Sequence, residues 1–220
     1  MTNASETSPN VFVVDDDEQM RASLKALLDV LGFAVRTFPS GGSFARFYRA
    51  HMPGCLVLDI RMPRQSGLEL YEQLLRDDKR LPVIFITAHA DVSTAVAAMK
   101  TGAIEFLEKP FDRATLLDRV QKALALDADW RRRDADFAQI AERIQQLSDR
   151  ERETLQLIQA GDSNKAMAAK LLLTERAVEM RRSAIMRKLK VCSVAELLEL
   201  AITHRILTEL RKTTAERPMR

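Results

Sequence analysis

The stretch VFVVDDDEQ, Val11 to Gln19, decides how this chain is read. Four apolar residues, three of them valine, run straight into Asp15, Asp16, Asp17 and Glu18. Valine and phenylalanine favour strands. Adjacent carboxylates repel, and burying one is costly unless it is paired or binds a cation. Two readings follow. In one, the acidic run is the first turn of a helix, where the helix dipole welcomes negative charge. In the other, it is a metal site at the end of a strand.

Outward from this stretch the first 125 residues alternate in type. Apolar, β-rich runs stand at VFVV, AVRTF, CLVLD, VIFIT and IEFLEK. Helical patterns separate them. Met20, Leu24, Leu27, Leu28 and Leu31 fall at helical spacing. Ser66 and Glu69 make a capping-box pattern that opens a helix with Leu70, Leu74 and Leu75 inward. Asp91 can cap another, carrying Val92, Val96 and Met99. Such alternation predicts a doubly wound, five-stranded parallel sheet with helices on both faces. CLVLD and VIFIT are apolar throughout, as strands covered on both faces should be.

Residues 112–147 hold no glycine and no proline. Leu116, Leu117, Val120 and Leu124 predict a helix packed on the sheet. The pattern continues through Trp130, Phe137, Ile140, Ile144 and Leu147, so residues 126–147 read as a helical linker. That linker is either a coiled-coil dimer seam or a solvated connection touching a neighbouring domain. From Ser148 the strand signals vanish. Ser148 with Glu151, and Ser193 with Glu196, repeat the capping pattern, and four short helices fit within residues 149–203. The expected organisation is a tail over 1–9, an α/β domain over 10–125, the linker, an all-α domain over 148–212, and a tail over 213–220.

Composition narrows the class. The chain is 46% hydrophobic and 30% charged, with a net charge of +3. No apolar run reaches the roughly 20 residues needed to span a bilayer. MTNASETSPN lacks the basic-then-apolar order of a signal peptide. Cys55 and Cys192 have no metal-ligand spacing and read as free thiols in a reducing cytoplasm. Residues 1–112 hold 12 Lys and Arg against 15 Asp and Glu, while residues 148–212 hold 13 against 9. The basic C-terminal part is therefore the better candidate for nucleic acid, although a solvated helical domain often carries as much charge.

Sites in open parallel sheets form at the carboxyl edge of the strands. Asp15 and Asp16 end the first strand, Asp59 the third, Thr87 the fourth and Lys109 the fifth. Three carboxylates, a hydroxyl and an ammonium thus converge. Any one of these at a strand end is ordinarily just solvated. Together they suit a hard cation such as Mg²⁺ (or Mn²⁺), which takes carboxylates, a carbonyl and waters. Asp16, Asp59 and the backbone carbonyl of Arg61 are the candidate ligands, with Asp15 acting through a water.

VVDDDE, VLDIRMPRQSGLEL, FITAHAD and AIEFLEKPF, in that order and spacing, resemble the receiver domain of bacterial response regulators. The resemblance implies that Asp59 is the phosphoacceptor, attacking the phosphohistidine of a sensor histidine kinase. It implies that Lys109 contacts a phosphate oxygen, that Thr87 moves to hydrogen-bond it, and that Lys109-Pro110 is a cis peptide. Phe106 then takes the aromatic switch position, turning inward to remodel a face containing Ala95, Met99 and Lys100; otherwise it is a plain core residue. Arg61 and His89 fall where the family tunes dephosphorylation. Aspartyl-phosphate hydrolases need a second aspartate two residues after the nucleophile. Asp59-Ile60-Arg61 lacks it, so a regulator and not an enzyme is expected. On this reading Asp15 and Asp16 belong to the cation site, and Asp17 and Glu18 to the next helix.

Residues 147–202 resemble the helix-turn-helix domain of the NarL/FixJ (LuxR-type) regulators. Leu147, Arg150, Glu151, Leu155, Gly161, Ser163-Asn164-Lys165, Ala168, Val178-Glu179, Lys188-Leu189 and Leu197 carry it. Capping serines and apolar spacing alone indicate only a helical bundle. The resemblance implies a recognition helix over 175–190, laid in the major groove of promoter DNA. Glu179, Met180, Arg182 and Ser183 are its expected base-facing residues, Arg182 toward guanine and Glu179 toward cytosine. Lys165, Thr174, Arg187 and Lys188 are placed for phosphates. Arg181 stands where the family usually has histidine and can still reach a phosphate. A cytoplasmic, DNA-binding regulator that dimerises on phosphorylation is expected, with RNA polymerase as a further partner and no membrane. The competing expectation is a receiver whose helical module docks on protein or RNA.

Overall fold

The computed structural model describes residues 9–88, 96 and 98–215, with side chains as far as 209. The chain divides into two compact units, Met1–Arg131 and Arg132–Arg220.

In the first unit all five expected strands form. They are β1 (Asn10–Val14), β2 (Ala34–Phe38), β3 (Gly54–Asp59), β4 (Val83–Thr87) and β5 (Glu105–Glu108). The sheet is parallel throughout, in the order β2-β1-β3-β4-β5. The chain reverses direction across the sheet between β1 and β3, which opens a crevice at their carboxyl ends.

Alternation along each strand sorts the core into two layers. Phe12, Val14, Leu56, Leu58, Val83 and Phe85 face one side, against Phe44 of α2 (Gly41–Phe47) and Leu70 and Leu74 of α3 (Gly67–Arg76). Val11, Val13, Cys55, Val57, Ile84 and Ile86 face the other. There they meet Leu24 and Leu28 of α1 (Glu18–Val30) and Leu116, Val120 and Ala123 of α4 (Arg113–Gln145). Because β1, β3 and β4 are buried on both faces, they are apolar from Val11 to Val14, from Gly54 to Leu58 and from Val83 to Ile86, and a charged or hydroxylic residue comes next in each.

The second unit is helical. Beyond the end of α4 it contains α5 (Asp149–Gln159), α6 (Asn164–Leu171), α7 (Glu175–Leu189) and α8 (Val194–Ala215). Leu147, Leu155, Ile158, Met167, Val178, Ile185, Leu189 and Leu197 form its core.

Several local expectations are met in detail. Asp17 caps α1, its carboxylate accepting from the backbone N–H groups of Gln19 and Met20. Both halves of the capping box form at Ser66–Glu69 and at Ser148–Glu151. At the third the geometry differs. Ser193 accepts from the Glu196 N–H, but the Glu196 carboxylate accepts from Cys192, one residue further out.

Other boundaries move. The sequence reading closes the first domain at residue 125, whereas Asp127, Trp130 and Arg131 are tied to the first unit. The Asp127 carboxylate accepts from Gly54 N–H and Arg131 Nε, at 2.9 and 2.7 Å. Arg131 also donates to the carbonyls of Ala50 and Met52, and the Arg80 guanidinium lies over the Trp130 ring. Further along the expected linker, Ile144 and Leu147 join the second core and Phe137 stacks on His204 at 5.4 Å. These residues have partners within their own chain, which weakens the seam reading. The last helix continues through Thr213, Thr214 and Ala215, which the sequence reading gave to the tail. No glycine or proline interrupts it before Pro218. Val96 and Met99 are exposed. Asp91, Val92, Ala95 and His89 lie outside the described residues.

Candidate functional site

Asp15, Asp59 and Lys109 meet at the carboxyl edge of the sheet. Lys109 Nζ donates to Asp15 Oδ2 and to Asp59 Oδ1, each at 2.8 Å. Their spacing follows from the register, which places Val14 beside Leu58 and so brings the ends of β1 and β3 together. Asp15 is 1% exposed and Asp59 5%. The remaining oxygens are used locally. Asp15 Oδ1 accepts from the Asp17 N–H at 2.9 Å, and Asp59 Oδ2 accepts from the Arg61 N–H at 2.8 Å.

The loop after Asp59 is held close by Gly67. Its N–H donates to the Ile60 carbonyl at 2.9 Å. A Cβ there would lie 2.3 Å from the Asp59 carbonyl oxygen. Only glycine lets α3 begin this near to the strand end. On the other side, the Lys109 N–H donates to the Thr87 carbonyl at 2.8 Å, which fixes the Lys109 backbone against the end of β4. Thr87 is fully buried. Phe106 is half-buried against the Phe12 layer. Lys109-Pro110 is cis.

Charge and burial oppose each other here. Burial pushes the Asp59 carboxyl above its ordinary range, and the hydrogen bond and charge of Lys109 only partly offset this. Burial works against the Lys109 ammonium as well, but its bonds to Asp15 and Asp59 outweigh that and raise its pKa. The result is a buried carboxylate paired with one lysine, with Asp16 exposed beside it.

In the second unit α7 presents Glu179, Met180, Ser183 and Arg187 to solvent, and Met180 is 68% exposed. Thr174 is its N-cap, accepting from the Ala177 N–H. Lys165 is exposed on α6. Two expected phosphate-binding cations have internal partners instead. Lys188 Nζ lies 2.7 Å from Glu151 Oε2. Arg181 donates to Thr154 Oγ1 and to the Arg150 carbonyl. Both stitch α7 to α5. Arg182 donates to Asn164 Oδ1.

Both units match known families. A family model described as "Response regulator receiver domain" matches residues 11–121. One described as "Bacterial regulatory proteins, luxR family" matches residues 145–201. The chain belongs to the LuxR-type response regulators. It is 41% identical over 195 residues to the transcriptional regulatory protein FixJ of Azorhizobium caulinodans, covering 87% of this chain and 91% of that one. It is 34% identical over 210 residues to the response regulator protein TodT of Pseudomonas putida, covering 96% and 92%. Among solved structures, the response regulator StyR aligns with TM-score 0.80 at 44% identity, over 90% of this chain and all of that one. Full-length FixJ from B. japonicum aligns with TM-score 0.56 at 36% identity, over 91% and 98%. As a LuxR-type response regulator the chain is a DNA-binding transcription regulator. Among the described residues no helix is long and apolar enough to cross a membrane.

Receivers of this family use a divalent metal, and the donor set here suits one. Asp15, Asp16 and Asp59 face a single ammonium, and no ion pair neutralises Asp16 among the described residues. Arg21 adds a second cation at the corner, its guanidinium donating to the Asp15 carbonyl at 2.7 Å. Among the described residues no three acidic, histidine or cysteine side chains form a metal-holding cluster.

Sequence reasoning passed over Asp127, Arg131 and Asn164. Asp127 and Arg131 stand at i and i+4 with opposite charge, a signal that was available, but nothing in sequence pointed to Gly54 as a third member. Asn164 was a family landmark and received no role.

Proposed function

We propose that this response regulator accepts a phosphoryl group on Asp59 from a sensor histidine kinase, and that the acyl phosphate changes its self-association and promoter binding. The observation that carries this reading is Lys109 Nζ at 2.8 Å from Asp59 Oδ1 at the end of a buried parallel strand. One oxygen of the Asp59 carboxylate attacks phosphorus, the P–N bond to the kinase imidazole breaks, and the imidazole leaves. Asp16, Asp59 and the Arg61 carbonyl, with Asp15 through a water, would hold a divalent cation, which would supply charge neutralisation for the incoming phosphoryl group. Lys109 is already placed to exchange a carboxylate partner for a phosphate oxygen. Thr87, buried beside it, takes up another, and Phe106 fills the space this vacates. Arg61 flanks the acceptor where it affects loss of phosphate. Lys165, Thr174 and Arg187 contact phosphates of double-stranded DNA, and Glu179, Met180, Arg182 and Ser183 face base edges. Dimerisation on activation, and contact with RNA polymerase from the DNA, complete the reading.

Two measurements test it. Incubation with an acyl phosphate and Mg²⁺ should give one hydroxylamine-labile phosphate per chain, lost in Asp59→Asn; labelling that persists in the variant refutes the acceptor. Footprinting of genomic fragments should show protection that strengthens on phosphorylation. Absence of any protected sequence would favour docking on protein or RNA.

A further inference from the structure

Asn164 opens α6, yet its side chain serves α7. Its Oδ1 accepts from an Arg182 amine, and its Nδ2 donates to Glu179 Oε1 at 3.4 Å. Glu179 and Arg182 sit three apart on one helix face, a spacing at which opposite charges usually pair. No ion pair joins them among the described residues. Asn164 stands between them, presenting an acceptor to the cation and a donor to the anion.

That arrangement bears on base readout. An arginine collapsed onto a neighbouring glutamate presents a neutralised guanidinium to DNA. A free arginine must give up rotamer freedom before it can make a bidentate contact. Asn164 addresses both at once. It holds the guanidinium apart from the carboxylate, and it fixes one amine of the fork. Arg182 is half-buried by this contact, whereas Met180 and Ser183 on either side are exposed.

We propose that Asn164 is a positioning residue for DNA sequence recognition, orienting Arg182 toward guanine and keeping it from pairing with Glu179. This rests on the reading of α7 as the recognition helix. Asn164 touches no base itself. It acts through Arg182, so its loss should change sequence preference more than affinity for DNA in general.

The test uses the full chain and DNA selected by the wild-type protein from a random pool. Each position of the selected site is then substituted in turn. Arg182→Ala identifies the guanine that Arg182 reads. Asn164→Ala should lower the preference for that guanine about tenfold, with binding to scrambled DNA within about twofold of wild type. Asn164→Gln keeps both the acceptor for Arg182 and the donor for Glu179 and should retain part of the preference. Equal weakening of Asn164→Ala on all sequences would show a structural role only and overturn the proposal. So would unchanged discrimination in Asn164→Ala, or a loss in Asn164→Gln as large as in Asn164→Ala. If Arg182→Ala changes no base preference, the placement of α7 itself is wrong, an outcome distinct from failure at Asn164. Should Asn164→Ala fold poorly, Asn164→Ser serves in its place, with the same expectations.

Discussion

Lys109 holds together two carboxylates that would otherwise repel. Its removal leaves Asp15 and Asp59 buried without a counter-ion, and breaking a buried pair in this way costs about 3 kcal/mol or more. Lys109→Met should therefore lower the stability of the first unit by roughly that amount in urea titration. Asp59→Asn should act in the opposite direction. Burial raises the Asp59 pKa above its ordinary 3.8. A group whose folded pKa is raised adds stability below its unfolded pKa and loses it as pH rises through the folded value. Ionised Asp59 is thus a liability at neutral pH, and Asp59→Asn should melt at a higher temperature at pH 7. The two melting curves should converge once pH falls below the ordinary carboxyl value. A gap that persists in acid would point to packing as its cause. A smaller effect belongs to Leu172. It occupies the left-handed region at φ 54° and is 91% exposed. Leu172→Gly removes backbone strain at no cost in packing and should stabilise the second unit by about 1 kcal/mol.

At the scale of the element, the strand that carries the site is fixed at both ends by glycine. Gly54 opens β3, where a Cβ would lie 2.0 Å from the Asn10 carbonyl oxygen. Gly67 closes the loop that follows β3. Gly67→Ala forces backbone atoms at Asp59 to move and should cost about 1–3 kcal/mol, read by thermal melting, with slower phosphorylation in parallel. The strands themselves were plain from sequence, because five apolar runs alternate with helical periodicity and nothing competes with that pattern. The carboxyl-edge residues were plain for the same reason, since each directly follows or ends a run. The end of the first unit was not. A helix with no breaker over residues 112–147 hides the change of partner within it. The contacts of Asp127, 3% exposed, with Gly54 and of Arg131 with Ala50 and Met52 mark where the first unit ends. The pairing of Arg181 and Lys188 with α5 was hidden likewise. Their partners, Thr154 and Glu151, sit on another helix, and a run of basic residues looks the same whether it faces solvent or a neighbour.

For the whole molecule, the charge asymmetry has to be divided before it can be used. Residues 148–212 hold 13 basic residues, but a cation held by an internal carboxylate releases few counterions when DNA binds. Each phosphate neutralised contributes about −0.9 to the slope of log affinity against log salt. Lys165 and Arg187 are exposed, and no internal ion pair holds either among the described residues. Lys165→Ala and Arg187→Ala should each make that slope shallower by about 1, with melting temperature unchanged. Lys188→Ala should do the reverse. It leaves the slope in place and lowers the stability of the second unit, because Glu151 loses the partner that holds its carboxyl below the usual range. Arg181→Ala should behave as Lys188→Ala does, through loss of the contact to Thr154. Titrations of labelled promoter DNA at four salt concentrations, paired with thermal melts, separate the two classes. A change of about 1 in slope for Lys188→Ala would mean that its pairing with Glu151 is exchanged for a phosphate on binding, and that the cations of α7 act as one surface instead of two.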